Sequence, residues 1–173
     1  ADGYARATGK PGVALVTSGP GATNTITGLL TAQMDSSPII VLTGQTITSM
    51  LGKDAFQEID QVSLMQAVSK KVFEVKDVET IPNILNEAMQ TALTPRSGPV
   101  HVDMPRDVLG QSCDFNKASK FETIANPIAD EDNLKKAVNL LSKAQKPVIL
   151  VGAGIKNYGT IAAESVLKLA ELL

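Results

Sequence analysis

Two rhythms of apolar residues alternate along this chain. Continuous apolar runs read as buried strands: "GVALVTS", "SPIIVLTG" from Ser37 to Gly44, "KKVFEV" from Lys70 to Val75, "GPVHVDMP" from Gly98 to Pro105, and "PVILVGAG" nearer the end. Between them the apolar residues recur at helical spacing. Ala22 to Met34 carries Ile26, Leu29, Leu30 and Met34 on one side, and Ile81 to Leu93 carries Ile81, Ile84, Leu85, Ala88 and Ala92. Further helices are expected from about Asn133 to Lys143 and in the closing "TIAAESVLKLAELL". Ala5 to Thr8 reads as a helix end, because Gly9 and then Pro11 are stop signals. Gln45 to Asp60 is polar and broken by Gly52, so it is expected to be a loop leading into a short helix.

Strand and helix alternate, and the strands are apolar throughout. That is the pattern of an α/β fold in which a parallel sheet is flanked by helices on both faces. The rhythm fails from Cys113 to Asp132, a polar stretch expected to be a linker. The expected organisation is therefore a first α/β domain over residues 1–112, a linker over 113–132, and the start of a second α/β domain over 133–173. The chain opens on Ala1-Asp2-Gly3 and stops at Leu173 inside a helical pattern, so a segment of a longer polypeptide is expected.

Composition narrows the function classes. Aromatic residues make up 3% of the 173, with no Trp, which argues against stacking platforms for single-stranded nucleic acid. The net charge is −2 and no basic stripe is visible, so no nucleic-acid partner is expected. A single cysteine, Cys113, cannot make an internal disulfide and fits a reducing, cytoplasmic setting. No apolar run approaches the roughly 18 residues that would span a membrane.

Three glycine or loop motifs offer chemistry. In "TSGPGATN" a Gly-Pro-Gly turn leaves the first apolar run and enters a helix. Gly19 and Gly21 let backbone approach a ligand, and Pro20 fixes the conformation between them. A phosphate cradle at the helix start and a plain tight turn both fit that spacing. In "GKDAFQEID", Phe56 and Gln57 stand at a strand-loop-helix junction, where Gln57 can donate and accept at once. A solvated helix start with Asp54, Glu58 and Asp60 fits the same residues. "VGAGI", with Gly152, Ala153 and Gly154, resembles half of a dinucleotide turn and lacks the rest of that fingerprint. His101, the only histidine, shares a strand face with Asp103 and reads as structural. Nothing beside Cys113 would activate its thiol.

Taken together, "ADGYARATGKPGVALVTSGPGATNTITGLLTAQMDSSPIIVLTGQ", "DAFQE" and "SGPVHVDMPRDV" resemble the thiamine-diphosphate enzymes of the acetohydroxyacid synthase (acetolactate synthase) large-subunit family. The resemblance spans Ala1 to about Gln111 and continues more faintly through "KPVILVGAGI". It implies a cofactor-pyrimidine-binding domain followed by the opening of a central FAD-associated domain. It implies decarboxylation of pyruvate on thiamine diphosphate and transfer of the two-carbon unit to a second 2-oxo acid, in branched-chain amino-acid synthesis. By the same resemblance the Gly19-Pro20-Gly21 turn and Asn24 line the aminopyrimidine of the cofactor rather than its phosphates. Phe56 and Gln57 match an active-site pair, Gln57 being near the cofactor. Arg96, in "TPRSGPV", matches an arginine that contacts FAD, and Gly152 to Gly154 match a turn approaching the flavin.

The family usually has Pro-Lys-Asp-Val where this chain has "PRDV", so Arg106 replaces a lysine expected to meet substrate. Arg keeps the charge and changes the geometry, which leaves a related carboligase or decarboxylase, such as glyoxylate carboligase, as an alternative. A non-catalytic cofactor-binding paralogue is another. The family's catalytic glutamate and its Mg2+-binding Gly-Asp-Gly to Asn motif match nothing in these residues, so none is assigned as a metal ligand. The family's active site forms between two catalytic subunits, and a small regulatory subunit can attach. The resemblance therefore implies a second copy as partner and no activity for these residues alone.

Overall fold

A computed structural model describes residues 1–114 and 128–173. Most of the stretch expected to be a linker, 113–132, lies outside the described residues. The chain divides into two compact units, Ala1–Ile124 and Ala125–Leu173.

The first unit is built on a four-stranded, all-parallel sheet. Its strands are β1 (Gly12–Val16), β2 (Ile39–Gln45), β3 (Lys71–Glu74) and β4 (Val100–Pro105), arranged in the order β1-β2-β4-β3. Every strand connection contains a helix: α1 (Asp2–Thr8) leads into β1, then α2 (Pro20–Thr23) and α3 (Ile26–Met34), α4 (Gln61–Gln66) and α5 (Ile81–Leu93) follow, and α6 (Arg106–Leu109) leaves β4. Gly9 closes α1 in the left-handed conformation, its N–H donating to Ala5 O at 2.9 Å. Parallel strands require such crossovers, and the crossovers cover the faces.

Two clusters fill the space between sheet and helices. On one face Ile40, Val100, Val102 and Met104 pack under Ala88 and Ala92 of α5. On the other, Val41 packs with Ala22, Leu29, Met65 and Val68 from α2, α3 and α4 and the residues after it. The central strands β2 and β4 are accordingly buried nearly throughout. Among the described residues β1 is the least covered strand, with Val13 54% and Leu15 71% exposed. β1 is an edge strand, and α5 packs over the other three strands.

The helix expected from Ala22 to Met34 is two helices with a different buried face. The break falls at Asn24–Thr25, where the Thr25 hydroxyl donates to Ala22 O at 2.6 Å and the Thr23 hydroxyl to Pro20 O at 3.1 Å. Side-chain hydroxyls that compete for helical carbonyls interrupt the regular ladder. Ala22, Leu29 and Ala32 are buried, Ala22 and Leu29 against Val41 of the sheet, whereas Leu30 and Met34 are exposed. Small residues allow the closer approach, which a count of apolar positions does not register.

The second unit contains α7 (Glu131–Ser142), capped by Asp130, whose carboxylate accepts from Asn133 N at 3.0 Å. It also contains a 3-10 turn over Ala153–Tyr158 and α8 (Gly159–Leu172). The expected strand "PVILVGAG" is not formed: residues 147–152 are irregular, and Val148 and Leu150 are exposed. A strand exists only as one side of a hydrogen-bonded ladder, and this stretch has no ladder partner among the described residues.

Candidate functional site

Because the strands are parallel, the carboxyl ends of β1, β2 and β4 lie along one edge of the sheet. Ligands of such sheets bind beyond that edge. A cavity of about 530 Å3 opens there. Thr17 and Ser18 after β1, the Gly44–Ile47 stretch at the end of β2, and Met104 and Arg106 at the end of β4 form three of its walls. The fourth is the Ala55–Gln57 loop that precedes α4. Phe56, Gln57 and Arg106, far apart in sequence, therefore line one space.

The Gly-Pro-Gly turn abuts this wall. Gly19 has φ 53° and ψ −109°, a conformation closed to other residues. A Cβ on Gly19 would lie 2.4 Å from the carbonyl oxygen of Gln57, so the turn and the loop meet backbone to backbone. A Cβ on Gly21 would lie 2.8 Å from Cγ2 of Thr17. Pro20 begins α2, and Asn24 ends it, exposed. Two amides here are engaged within the protein: Gly21 N donates to Ser18 O at 3.2 Å and Thr23 N to Gly19 O at 2.9 Å. α2 is only four residues long.

The loop that presents Phe56 and Gln57 is unusual in its backbone. Gly52, Asp54 and Gln57 all have positive φ, of 74°, 53° and 57°. For Asp54 and Gln57 that is a strained choice that the surroundings must enforce. The Glu58 carboxylate is one enforcer: it accepts from the backbone N–H groups of Gly52, of Lys53 at 3.3 Å and of Ala55 at 2.9 Å. The Ala55 and Gly52 amides hold its pKa below the ordinary glutamate range. Gln57 is half-buried beside the cavity, and Phe56 is 88% exposed at its rim.

The opposite rim is clamped separately. Asp107 of α6 accepts from Thr48 N at 3.0 Å and from the Thr48 hydroxyl at 2.6 Å. The Thr48 hydroxyl lowers the Asp107 pKa. This ties the segment after β2 to the short helix that starts with Arg106, an exposed cation at the cavity.

Behind the cavity lies a polar group that the sequence reading missed. Thr43, Gln45, Gln61, His101 and Asp103 are all buried. Asp103 accepts from the Thr43 hydroxyl at 3.2 Å, from Gln45 Nε2 at 3.4 Å and from Gln61 Nε2 at 3.1 Å. Since the Thr43 proton goes to Asp103, His101 Nε2 donates to Thr43 Oγ1, 2.9 Å away. Burial pushes the His101 pKa down to about 4 and the Asp103 pKa up to about 6. His101 is thus a neutral core residue. The sequence signal was the alternation of Thr43 with Gln45, and of His101 with Asp103, inside otherwise apolar strands.

Two other expected sites lie elsewhere. Arg96 is exposed in the turn before β4, at the end of the sheet opposite the cavity. Gly152, Ala153 and Gly154 are exposed residues of the second unit, and a Cβ on either glycine would meet nothing within 4 Å. Among the described residues no three His, Cys, Asp or Glu side chains converge as metal ligands, and no helix is long and apolar enough to cross a membrane.

Residues 1–64 match the family described as thiamine pyrophosphate enzyme, N-terminal TPP binding domain. The chain is 48% identical to the probable acetolactate synthase large subunit of Methanococcus aeolicus, over all of this chain and 30% of that protein. It is 48% identical to the acetolactate synthase isozyme 3 large subunit of Escherichia coli strain K12, covering 92% of this chain and 29% of the relative. It is 44% identical to the mitochondrial acetolactate synthase catalytic subunit of Saccharomyces cerevisiae, covering 91% and 24%. The chain thus spans about 30% of the length of the first relatives it matches. Residues 1–64, which hold the glycine turn and the first two strands of the parallel sheet, thus belong to the N-terminal TPP-binding domain of the thiamine pyrophosphate enzymes.

Proposed function

We propose that this chain is a segment of an acetolactate synthase catalytic subunit. The full protein would decarboxylate pyruvate and pass the two-carbon unit to a second 2-oxo acid, in branched-chain amino-acid biosynthesis. The observation that carries this reading is the meeting of Gln57, Phe56 and Arg106 around one cavity, with the Gly19-Pro20-Gly21 turn against the Gln57 backbone.

The cavity suits an aminopyrimidine. Ile47, Met50 and Met104 offer apolar contact to a ring, while Gln57 offers an amide that can both donate and accept along its edge. Thiamine diphosphate supplies the carbanion chemistry when bound, and the chain contributes position and electrostatics. In this reading Gly19, Pro20, Gly21 and Asn24 shape the pyrimidine end of the site. Gln57 orients the reacting groups by hydrogen bonding. Phe56 excludes water at the rim. The Arg106 guanidinium attracts the carboxylate of a 2-oxo acid, a pairing it can make with two parallel hydrogen bonds.

Residues 1–112 would form the pyrimidine-binding domain, 113–132 the linker, and 133–173 the start of the central domain. Arg96 and Gly152 to Gly154 would contact FAD, whose role is structural. Mg2+ would be held by residues other than these. A second copy would complete the active site, a small regulatory subunit would attach to the assembly, and the protein would work in the cytoplasm.

Arg106 in place of the family's lysine favours one other reading, a carboligase for a different 2-oxo acid such as glyoxylate. The test is made on the full-length protein, supplied with pyruvate, thiamine diphosphate, Mg2+ and FAD. Acetolactate, assayed as acetoin after acid treatment, is expected and should depend on thiamine diphosphate. Cofactor binding without acetolactate, and turnover of glyoxylate instead, would transfer the assignment to the carboligase.

A further inference from the structure

We propose that Asp103 is a positioning residue that locks two walls of the cavity to each other, and through them the loop that presents Gln57. This role rests on the reading of the cavity as the thiamine-diphosphate site.

Asp103 is 3% exposed on β4 and has no cationic partner among the described residues. An isolated buried carboxylate is costly unless donors surround it. Here three donors do, and two of them are glutamine amides that each hold a second acceptor. Gln61 Nε2 donates to Asp103 Oδ1 at 3.1 Å and to Gly44 O at 2.9 Å. Gln45 Nε2 donates to Asp103 Oδ2 at 3.4 Å and to Ile59 O at 3.2 Å.

These bonds cross. Gln45 belongs to the end of β2 and reaches the loop at Ile59. Gln61 begins α4, after the loop, and reaches back to β2 at Gly44. The Phe56–Gln57 loop is therefore fastened to β2 by two reciprocal bridges, and both converge on one carboxylate. Gly44 and Gln45 themselves line the cavity.

An ionised carboxylate only accepts, so it dictates which end of each amide faces it. Flipping Gln61 would set its oxygen against both Gly44 O and Asp103. The cost of the arrangement is visible: Gln61 Oε1 is buried with no protein hydrogen-bond partner. Gln45 meets no such cost, since its Oε1 accepts from Thr46 N at 2.8 Å. Asn at position 103 would keep the shape and present one NH2 group to a site that holds only donors. At least one bridge would then be lost.

The test is Asp103→Asn in the full-length protein, with Gln61→Met as a second variant of similar volume that removes one bridge and leaves the carboxylate. Hydrogen exchange is followed across residues 44–61 and in α5, on the other face of the sheet. Expected is at least about tenfold faster exchange within 44–61 and none of that change in α5. In the acetolactate assay kcat should fall about tenfold while KM for pyruvate stays within about twofold, since position and not binding is lost. Exchange that rises equally in α5, or wild-type exchange and kcat in both variants, would overturn the proposal. Loosened 44–61 exchange in a protein whose wild type makes no acetolactate would keep the positioning role and overturn the synthase reading instead.

Discussion

Asp103 and His101 should oppose each other in the acid stability of this chain. Burial raises the Asp103 pKa from 3.8 to about 6, against hydrogen bonds from Thr43 and Gln45 that pull it down. Burial lowers the His101 pKa from 6.5 to about 4. Between about pH 6 and 4 the folded chain therefore holds a proton on Asp103 that the unfolded chain releases, which favours the fold as pH falls. In nearly the same window the unfolded chain takes a proton on His101 that the folded chain refuses, which opposes the fold as pH falls. At about 1.4 kcal/mol per pH unit each difference is worth roughly 3 kcal/mol, with opposite sign. The wild type should show almost no net slope from this pair. Asp103→Asn removes the carboxyl's contribution, and should lose about 3 kcal/mol relative to wild type as pH falls from about 6 to about 4. His101→Gln leaves the carboxyl alone and should gain about as much. Urea midpoints from about pH 7 to about pH 4, converted with the measured m-value, give the comparison. Carboxylates whose pKa values are lowered, such as Glu58, Asp60 and Asp107, contribute equally to all three proteins and drop out of the differences. Curves for the two variants that stay parallel to wild type across that range would refute the reasoning.

Three further predictions concern the site. Gly19→Ala places a Cβ 2.4 Å from Gln57 O at a φ of +53°, so it should cost about 2–3 kcal/mol in a urea titration; an unchanged midpoint would show that the turn and the loop do not press together. Gln57→Ala in the full-length enzyme should lower acetolactate turnover by about tenfold or more while moving the melting temperature little, and normal turnover would end its assignment to the site. Arg96→Ala should release FAD during desalting of the full-length enzyme, and flavin content equal to wild type would show that the arginine does not hold it.

How much of this was legible in the sequence differs from element to element. The periodicity identifies the four paired strands and α5 to within a residue or two, because burial on both faces of a sheet demands continuous apolar runs and burial of one helix face demands the 3.6-residue repeat. The Gly-Pro-Gly turn is also a local matter: Gly19 has a backbone that other residues cannot adopt, and Pro20 starts a helix. Other features depend on what lies across space. The run 147–154 is as apolar as the paired strands, yet it forms no ladder among the described residues, since pairing is a property of two segments and not of one. Leu30 and Met34 have the right character for a core yet are exposed, while the smaller Ala22 and Ala32 are buried. The positive φ of Gln57 is imposed by contacts, not by its own preference. The charge state of Asp103 likewise comes from burial among Thr43, Gln45 and Gln61, residues up to 60 positions away. Sequence alone thus determined the parallel α/β pattern and the turn chemistry, which follow from short-range backbone geometry and hydrophobic periodicity. Only the tertiary structure decided which strand ends share a cavity and which polar side chains lie buried behind it, because both depend on the register between strands distant in sequence.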